Sequence, residues 1–306
     1  MIAAHTPVSR DLLTELEPVV EQLLDRHLAT AKEWFPHEYV PWEQGRSFAD
    51  APWKATDTRL SAVARTALEL NLLTEDNLPS YHRALWTLFG GGGAWGAWAG
   101  RWTAEEGRHS IAIRDYLIVT RAVDPVALEQ ERMVHMARGY TPRRMAGPLD
   151  GLVYVTLQEL ATRIAHRNTG AFTGDPLAER LLARVALDEN LHYTFYRDLA
   201  SAALALDPSA MVLAIRRQVL GFAMPGLELE GFRARALTIA AAGIYDLRIH
   251  LDQVLCPVLL KHWGLEELRG LSDAAERARD RVLAFLANLR ATTATSAEAT
   301  AATPPA

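Results

Sequence analysis

Glu106 and His109 in the segment EEGRH, and Glu189 and His192 in DENLH, form two Glu-x-x-His pairs. Each pair follows a lone glutamate: Glu75 lies 31 residues before Glu106, and Glu159 lies 30 before Glu189. Residues three apart share one face of an α-helix, so a glutamate and a histidine at that spacing can grip one metal ion together. A two-metal site inside a four-helix bundle takes a glutamate from each of two helices and a Glu-x-x-His pair from each of the other two. The chain supplies that set as an internal repeat. The lone glutamates are 84 residues apart and the paired ones 83, as in two helical hairpins related by a pseudo-twofold axis.

A Glu-x-x-His pair also occurs on ordinary solvated helix faces, so the setting matters. Trp102, Glu106, His109, Ile113 and Leu117 fall on one stripe, and Val185, Glu189, His192 and Tyr196 on another; both are largely apolar. Charges on an apolar stripe need partners, because an unpaired buried charge is costly or titrates away. Metal ions supply that compensation. Oxygen and nitrogen ligands without thiolate suit iron, with manganese as a substitute, and four carboxylates offset most of the charge of two divalent ions. In such a site Glu106 and Glu189 bridge, Glu75 and Glu159 each cap one metal, and His109 and His192 complete the two sets.

The rest of the chain agrees with a helical protein. Apolar residues recur at helical spacing and strand-like alternation is hard to find, so the expected class is all-α, with covering helices around the bundle core. Core helices are expected over about 59–88, 94–123, 150–169 and from Pro176 to about Leu206, with Pro79 bending the first of them. Further helices are expected from about Ser9 through Leu28 and over 126–145, 209–222, 229–262 and 272–290. Residues 1–290 read as one domain, and 291–306, low in large apolar residues, as a disordered tail. No apolar run is long enough for a membrane span, and the start lacks the blocks of a secretory signal, so the location reads as cytoplasmic. A net charge of −5 gives no reason to expect nucleic acid. The single cysteine, Cys256, excludes an intrachain disulfide and any thiolate-built redox centre, so electrons must come from another protein.

The segments TEDNLPSY, WTAEEGRHS, QELATRIAHRNT, DENLHYTFYRDL and FAMPG resemble the soluble acyl-ACP (stearoyl-ACP-like) desaturases, close to their actinobacterial branch, from about Leu12 to Met224. All six ligand positions are filled, in order. The resemblance implies a ferritin-like di-iron bundle that uses dioxygen and reduced ferredoxin to introduce a cis double bond into an acyl chain carried on acyl carrier protein, and it implies a homodimer. It also implies that Asp188 supports His109 and links towards a surface tryptophan, here Trp34, and that Thr162 assists oxygen or proton handling. His166 reads as structural or supporting, with no acidic partner at ligand spacing. The glycine run Gly90 to Gly93 departs from the plant members, placing a different loop at that end of the bundle. The same six ligands would serve a di-iron oxygenase that hydroxylates or desaturates an unusual carrier-bound substrate. A non-catalytic ferritin-like metal-binding protein is the alternative of another class.

Overall fold

The structure, a computed structural model, describes residues 8–142 and 145–301, with side chains described over 12–142 and 145–294. The described residues contain helices and no strand. Four long elements form the core: α2 (Ala62–Asp76), α4 (Gly93–Val119), α6 (Pro148–Thr173) and α7 (Pro176–Leu206). Helix α1 (Val8–Thr30) packs along α4 and α7. Helix α3 (Leu78–Phe89) follows α2, and α5 (Pro125–Arg138) packs against α2; α8 (Pro208–Leu220) and α11 (Asp273–Ala301) cover the side of the bundle next to α6 and α7.

Helix boundaries follow local chemistry. Proline stands in the first turn of α5, α6, α7 and α8, where its missing N–H costs nothing. The side chains of Asp124, Asp175 and Asp207 cap α5, α7 and α8 by accepting backbone N–H groups of the first turn. Gly174, left-handed at φ 68°, ends α6 and lets α7 turn back antiparallel to it. Gly92 has no side chain to cap α4. The Glu17 carboxylate of α1 does so instead, accepting the Ala94 N–H at 3.1 Å. Gly93 makes room for it, since a Cβ there would lie 1.8 Å from a Glu17 oxygen, and its φ of 56° favours glycine as well.

Three expected helices differ in the structure. The stretch 59–88 is two helices, broken at Asn77, because Pro79 has no N–H to give to the Glu75 carbonyl four residues back. The stretch 229–262 is also divided: α9 (Phe232–Ala241) ends before Gly243, at φ 71°, and Asp246 then caps α10 (Leu247–Ile249) through the Ile249 N–H. Helix α10 continues through wide π-helical turns to His262. Helix α5 stops at Gly139, φ 67°, short of the expected 145. At the end of the chain the backbone of α11 is helical to Ala301, within the stretch expected to be a disordered tail; residues 302–306 lie outside the described residues.

Candidate metal centre

The bundle brings all six predicted residues to one place. Glu75 comes from α2, Glu106 and His109 from α4, Glu159 from α6, and Glu189 and His192 from α7; all are buried. They form two overlapping groups, Glu75–Glu106–His109–Glu189 and Glu106–Glu159–Glu189–His192, with one donor atom per residue and those atoms within 4.8 Å of one another. Glu106 and Glu189 belong to both.

The donor atoms crowd one another without forming hydrogen bonds. His192 Nδ1 is 2.7 Å from Glu106 Oε1, and His109 Nδ1 is 3.2 Å from Glu106 Oε2 and 3.3 Å from Glu189 Oε1. Yet His109 Nδ1, His192 Nδ1, Glu106 Oε1, Glu159 Oε2 and both Glu189 oxygens lack any hydrogen-bond partner. Buried polar atoms are almost always paired, so a concentric set of unpaired oxygens and nitrogens is the signature of ligands around a cation. The donor set therefore fits metal ions.

The charges act on one another strongly. Burial raises the Glu189 carboxyl well above its usual range, and Glu106 and Glu159 push it further. Burial likewise raises Glu159, helped by Glu106. Burial alone would lower both histidines, but the carboxylates around His109 and His192 raise them well above the ordinary imidazole range.

A ring of supporting contacts surrounds the cluster. Glu75 accepts from His166 Nε2 at 2.8 Å, so the acidic partner that sequence spacing did not offer His166 comes from another helix. Glu159 accepts from Trp102 Nε1 at 3.1 Å. Asp188 sits behind His109, with Oδ2 3.5 Å from His109 Nε2, longer than a good hydrogen bond, and 2.7 Å from Trp34 Nε1. Burial would raise Asp188, but His109 and Trp34 hold it below the usual carboxylate range. Trp34 is not a surface residue. It is 3% exposed, covered edge-on by Tyr39 and lying beneath the Arg108 and Arg184 guanidiniums at 4.9 and 5.7 Å. The Thr162 hydroxyl donates to the Gln158 carbonyl at 2.9 Å and accepts from the Gln158 amide, so its described hydrogen bonds stay within α6.

Sequence reasoning missed Glu105. It accepts from His192 Nε2 and from His27 Nε2, each at 2.9 Å, and pairs with Arg101. Burial would raise this carboxylate, but the two imidazoles hold it far below its usual range. The only signal for it was its place beside Glu106, mirroring Asp188 beside Glu189.

Beside the cluster runs an elongated cavity, about 1290 Å³ of space counted with its opening to solvent. Gly151, Tyr154, Val155, Gln158, Thr162, Ala165 and Thr169 line it as one stripe of α6, a length of roughly 27 Å at 1.5 Å per residue. Leu70, Leu85, Leu88, Ile239 and Ile244 add apolar lining, and Glu75, Glu106 and Trp102 line it as well.

Residues 9–305 match the model of the family described as fatty acid desaturase. The chain belongs to the fatty acid desaturase family. DesA1 of Mycobacterium tuberculosis, provisionally named an acyl-carrier-protein desaturase, is 46% identical over 288 residues, which cover 91% of this chain and 85% of that protein. A chloroplast palmitoyl-acyl-carrier-protein 4-desaturase of Ophrys sphegodes is 30% identical over 85% of this chain and 69% of its own length. The X-ray structure of the similarly named DesA2 of M. tuberculosis superposes with a TM-score of 0.71 at 31% identity, covering 88% of this chain and 99% of that one. In this desaturase-family chain no described helix is long and apolar enough to cross a membrane.

Proposed function

We propose that the protein is a di-iron acyl-carrier-protein desaturase that forms a cis double bond in a carrier-bound acyl chain. The observation that carries the reading is the long apolar cavity passing the cluster of carboxylates and histidines. Glu75 with His109, and Glu159 with His192, would each hold one iron, with Glu106 and Glu189 shared between them. When bound, the two irons supply oxygen chemistry able to take two hydrogens from adjacent methylene groups. Manganese can take the same ligands.

The chain's own residues do the rest. The cavity holds a flexible acyl chain extended, so that one bond lies opposite Glu75, Glu106 and Trp102; such positioning is worth several kcal/mol of barrier. Apolar walls exclude water from the reacting carbons. His166 and Trp102 fix the orientation of Glu75 and Glu159 by hydrogen bonds. Asp188 joins His109 to Trp34, which lies under two guanidiniums. A ferredoxin donor and a homodimer belong to the same proposal on the family resemblance, and a cytoplasmic location on the sequence.

The test is turnover of the iron-loaded protein with ferredoxin, its reductase and dioxygen on a panel of acyl-carrier-protein thioesters, read by product mass. Loss of two hydrogens is expected. A gain of one oxygen atom would make the protein a hydroxylase, and full iron loading without turnover would remove the enzymatic reading.

A further inference from the structure

The carboxylates behind the two cluster histidines follow the same internal repeat as the cluster itself. Glu105 precedes Glu106 as Asp188 precedes Glu189, and Arg101 and Arg184, four residues earlier in each helix, pair with them. The offset is 83 residues throughout. Service is crossed: Glu105 on α4 faces His192 on α7, while Asp188 on α7 faces His109 on α4. The repeat breaks at the outer end. Asp188 goes on to the indole of Trp34, and Glu105 goes on to the imidazole of His27 in α1.

The arm through Glu105 is the tighter of the two. Glu105 Oε2 lies 2.9 Å from His192 Nε2, against 3.5 Å for Asp188 and His109 Nε2. That oxygen can only accept, so both imidazoles donate to it through Nε2, and His192 Nδ1 is left as the nitrogen that faces Glu106. Oε1 is taken by Arg101, which leaves the carboxylate little freedom to turn. His27 is as constrained: it is 4% exposed, and its ring meets Trp98 edge-on at 5.0 Å, while Trp98 stacks on Phe195 at 3.5 Å.

Resting on the two-metal reading above, we propose that Glu105 and His27 are positioning residues for His192, so that the metal position of Glu159 and His192 depends on this arm and that of Glu75 and His109 on Asp188. A carboxylate behind a metal-binding histidine fixes its tautomer and ring orientation, and losing it costs roughly 10- to 100-fold in metal affinity. The chain thus holds its two metals by separate anchors, one ending in an imidazole and the other in an indole.

The experiment is anaerobic titration of the metal-free full-length protein with ferrous iron, and with cobalt(II), whose ligand-field spectrum reports each coordination sphere. Glu105→Ala should bind one equivalent roughly 10- to 100-fold more weakly and leave the other within about twofold, with one component of the cobalt spectrum altered. Asp188→Ala should weaken the other equivalent instead. Glu105→Gln keeps an oxygen acceptor and should recover part of the loss, and His27→Asn should show a smaller effect on the same equivalent as Glu105→Ala. Circular dichroism identifies any variant that does not fold; if Glu105→Ala is one, Glu105→Gln and His27→Asn carry the test. Unchanged binding of both equivalents in the folded variants, or equal weakening of both, overturns the assignment. A wild-type protein that binds fewer than two equivalents overturns the two-metal reading itself, and this inference with it.

Discussion

Glu189 is the side chain on which the cluster turns: it belongs to both groups that could hold a metal ion, and neither of its buried oxygens has a hydrogen-bond partner. Glu189→Ala is therefore expected to lower bound iron from two per chain to one or none, measured by elemental analysis; retention of both would remove Glu189 from the ligand set. His250 tests a different residue-scale effect. It is buried, its Nδ1 shares a hydrogen bond of 2.8 Å with the Tyr245 hydroxyl, it stacks on Phe222, and burial pushes its imidazole down to about 4. An unfolded histidine titrates near 6.5, so this depressed group contributes stability that is present above about pH 6.5 and lost as pH falls towards 4. Between pH 7 and 4.5 the loss should be about 2 kcal/mol. Urea unfolding of wild type and His250→Gln at both pH values measures it; parallel losses in the two proteins would show that His250 is not the group responsible.

At the scale of the element, one residue ties the start of a core helix to its neighbour. Asp175 caps α7 by accepting the Leu177 N–H, and its other oxygen accepts the Tyr116 hydroxyl of α4 at 2.5 Å. Asp175→Ala removes a cap worth about 1 kcal/mol. It also leaves the buried Tyr116 phenol unpaired, at a further cost of about 1–3 kcal/mol. A lowered urea midpoint with an unchanged slope is the expected result. The stripe of α6 along the cavity allows a second prediction. Ala165→Phe adds a ring to the cavity wall on the far side of the cluster from Gly151. It should lower turnover of the longest acyl substrates at least tenfold and leave iron content unchanged; equal activity across chain lengths would mean that this end of the cavity does not hold the acyl chain. The helices were legible from periodicity, whereas their breaks were not. Pro79, Gly243 and Asp246 stand within continuous apolar patterns, and only the hydrogen bonds around them decide whether a helix bends or stops.

At the scale of the molecule, the cluster concentrates buried charge that a bound metal would offset. The surrounding carboxylates raise His109 and His192, and burial raises Glu189, so all three shifts favour bound protons. Metal binding should release them, and affinity should rise with pH, because ligands bind in their deprotonated form. Calorimetry in buffers of different ionisation enthalpy counts the protons; no release would contradict the cluster's electrostatics. Chelation should also lower stability, by about 4 kcal/mol where free metal had stood at a thousand times its dissociation constant. A melting temperature unmoved by chelator would mean that the bundle does not depend on its metal.

The sequence alone determined the six residues of the cluster and the bundle that holds them, because i, i+3 spacing on a helix is a local geometry and the repeat of about 84 residues shows that the geometry is used twice. It placed Asp188 and Trp34 through family resemblance, although it took the buried Trp34 for a surface residue. Only the tertiary structure decided which groups stand behind the six cluster residues. Glu105 with His27, 78 residues apart, and Glu75 with His166, 91 apart, meet across packed helices. Such contacts have no period in the chain; they follow from how the helices rotate about their axes when they pack. The cavity belongs to the same class, since its walls come from five helices and three loops that no single segment predicts.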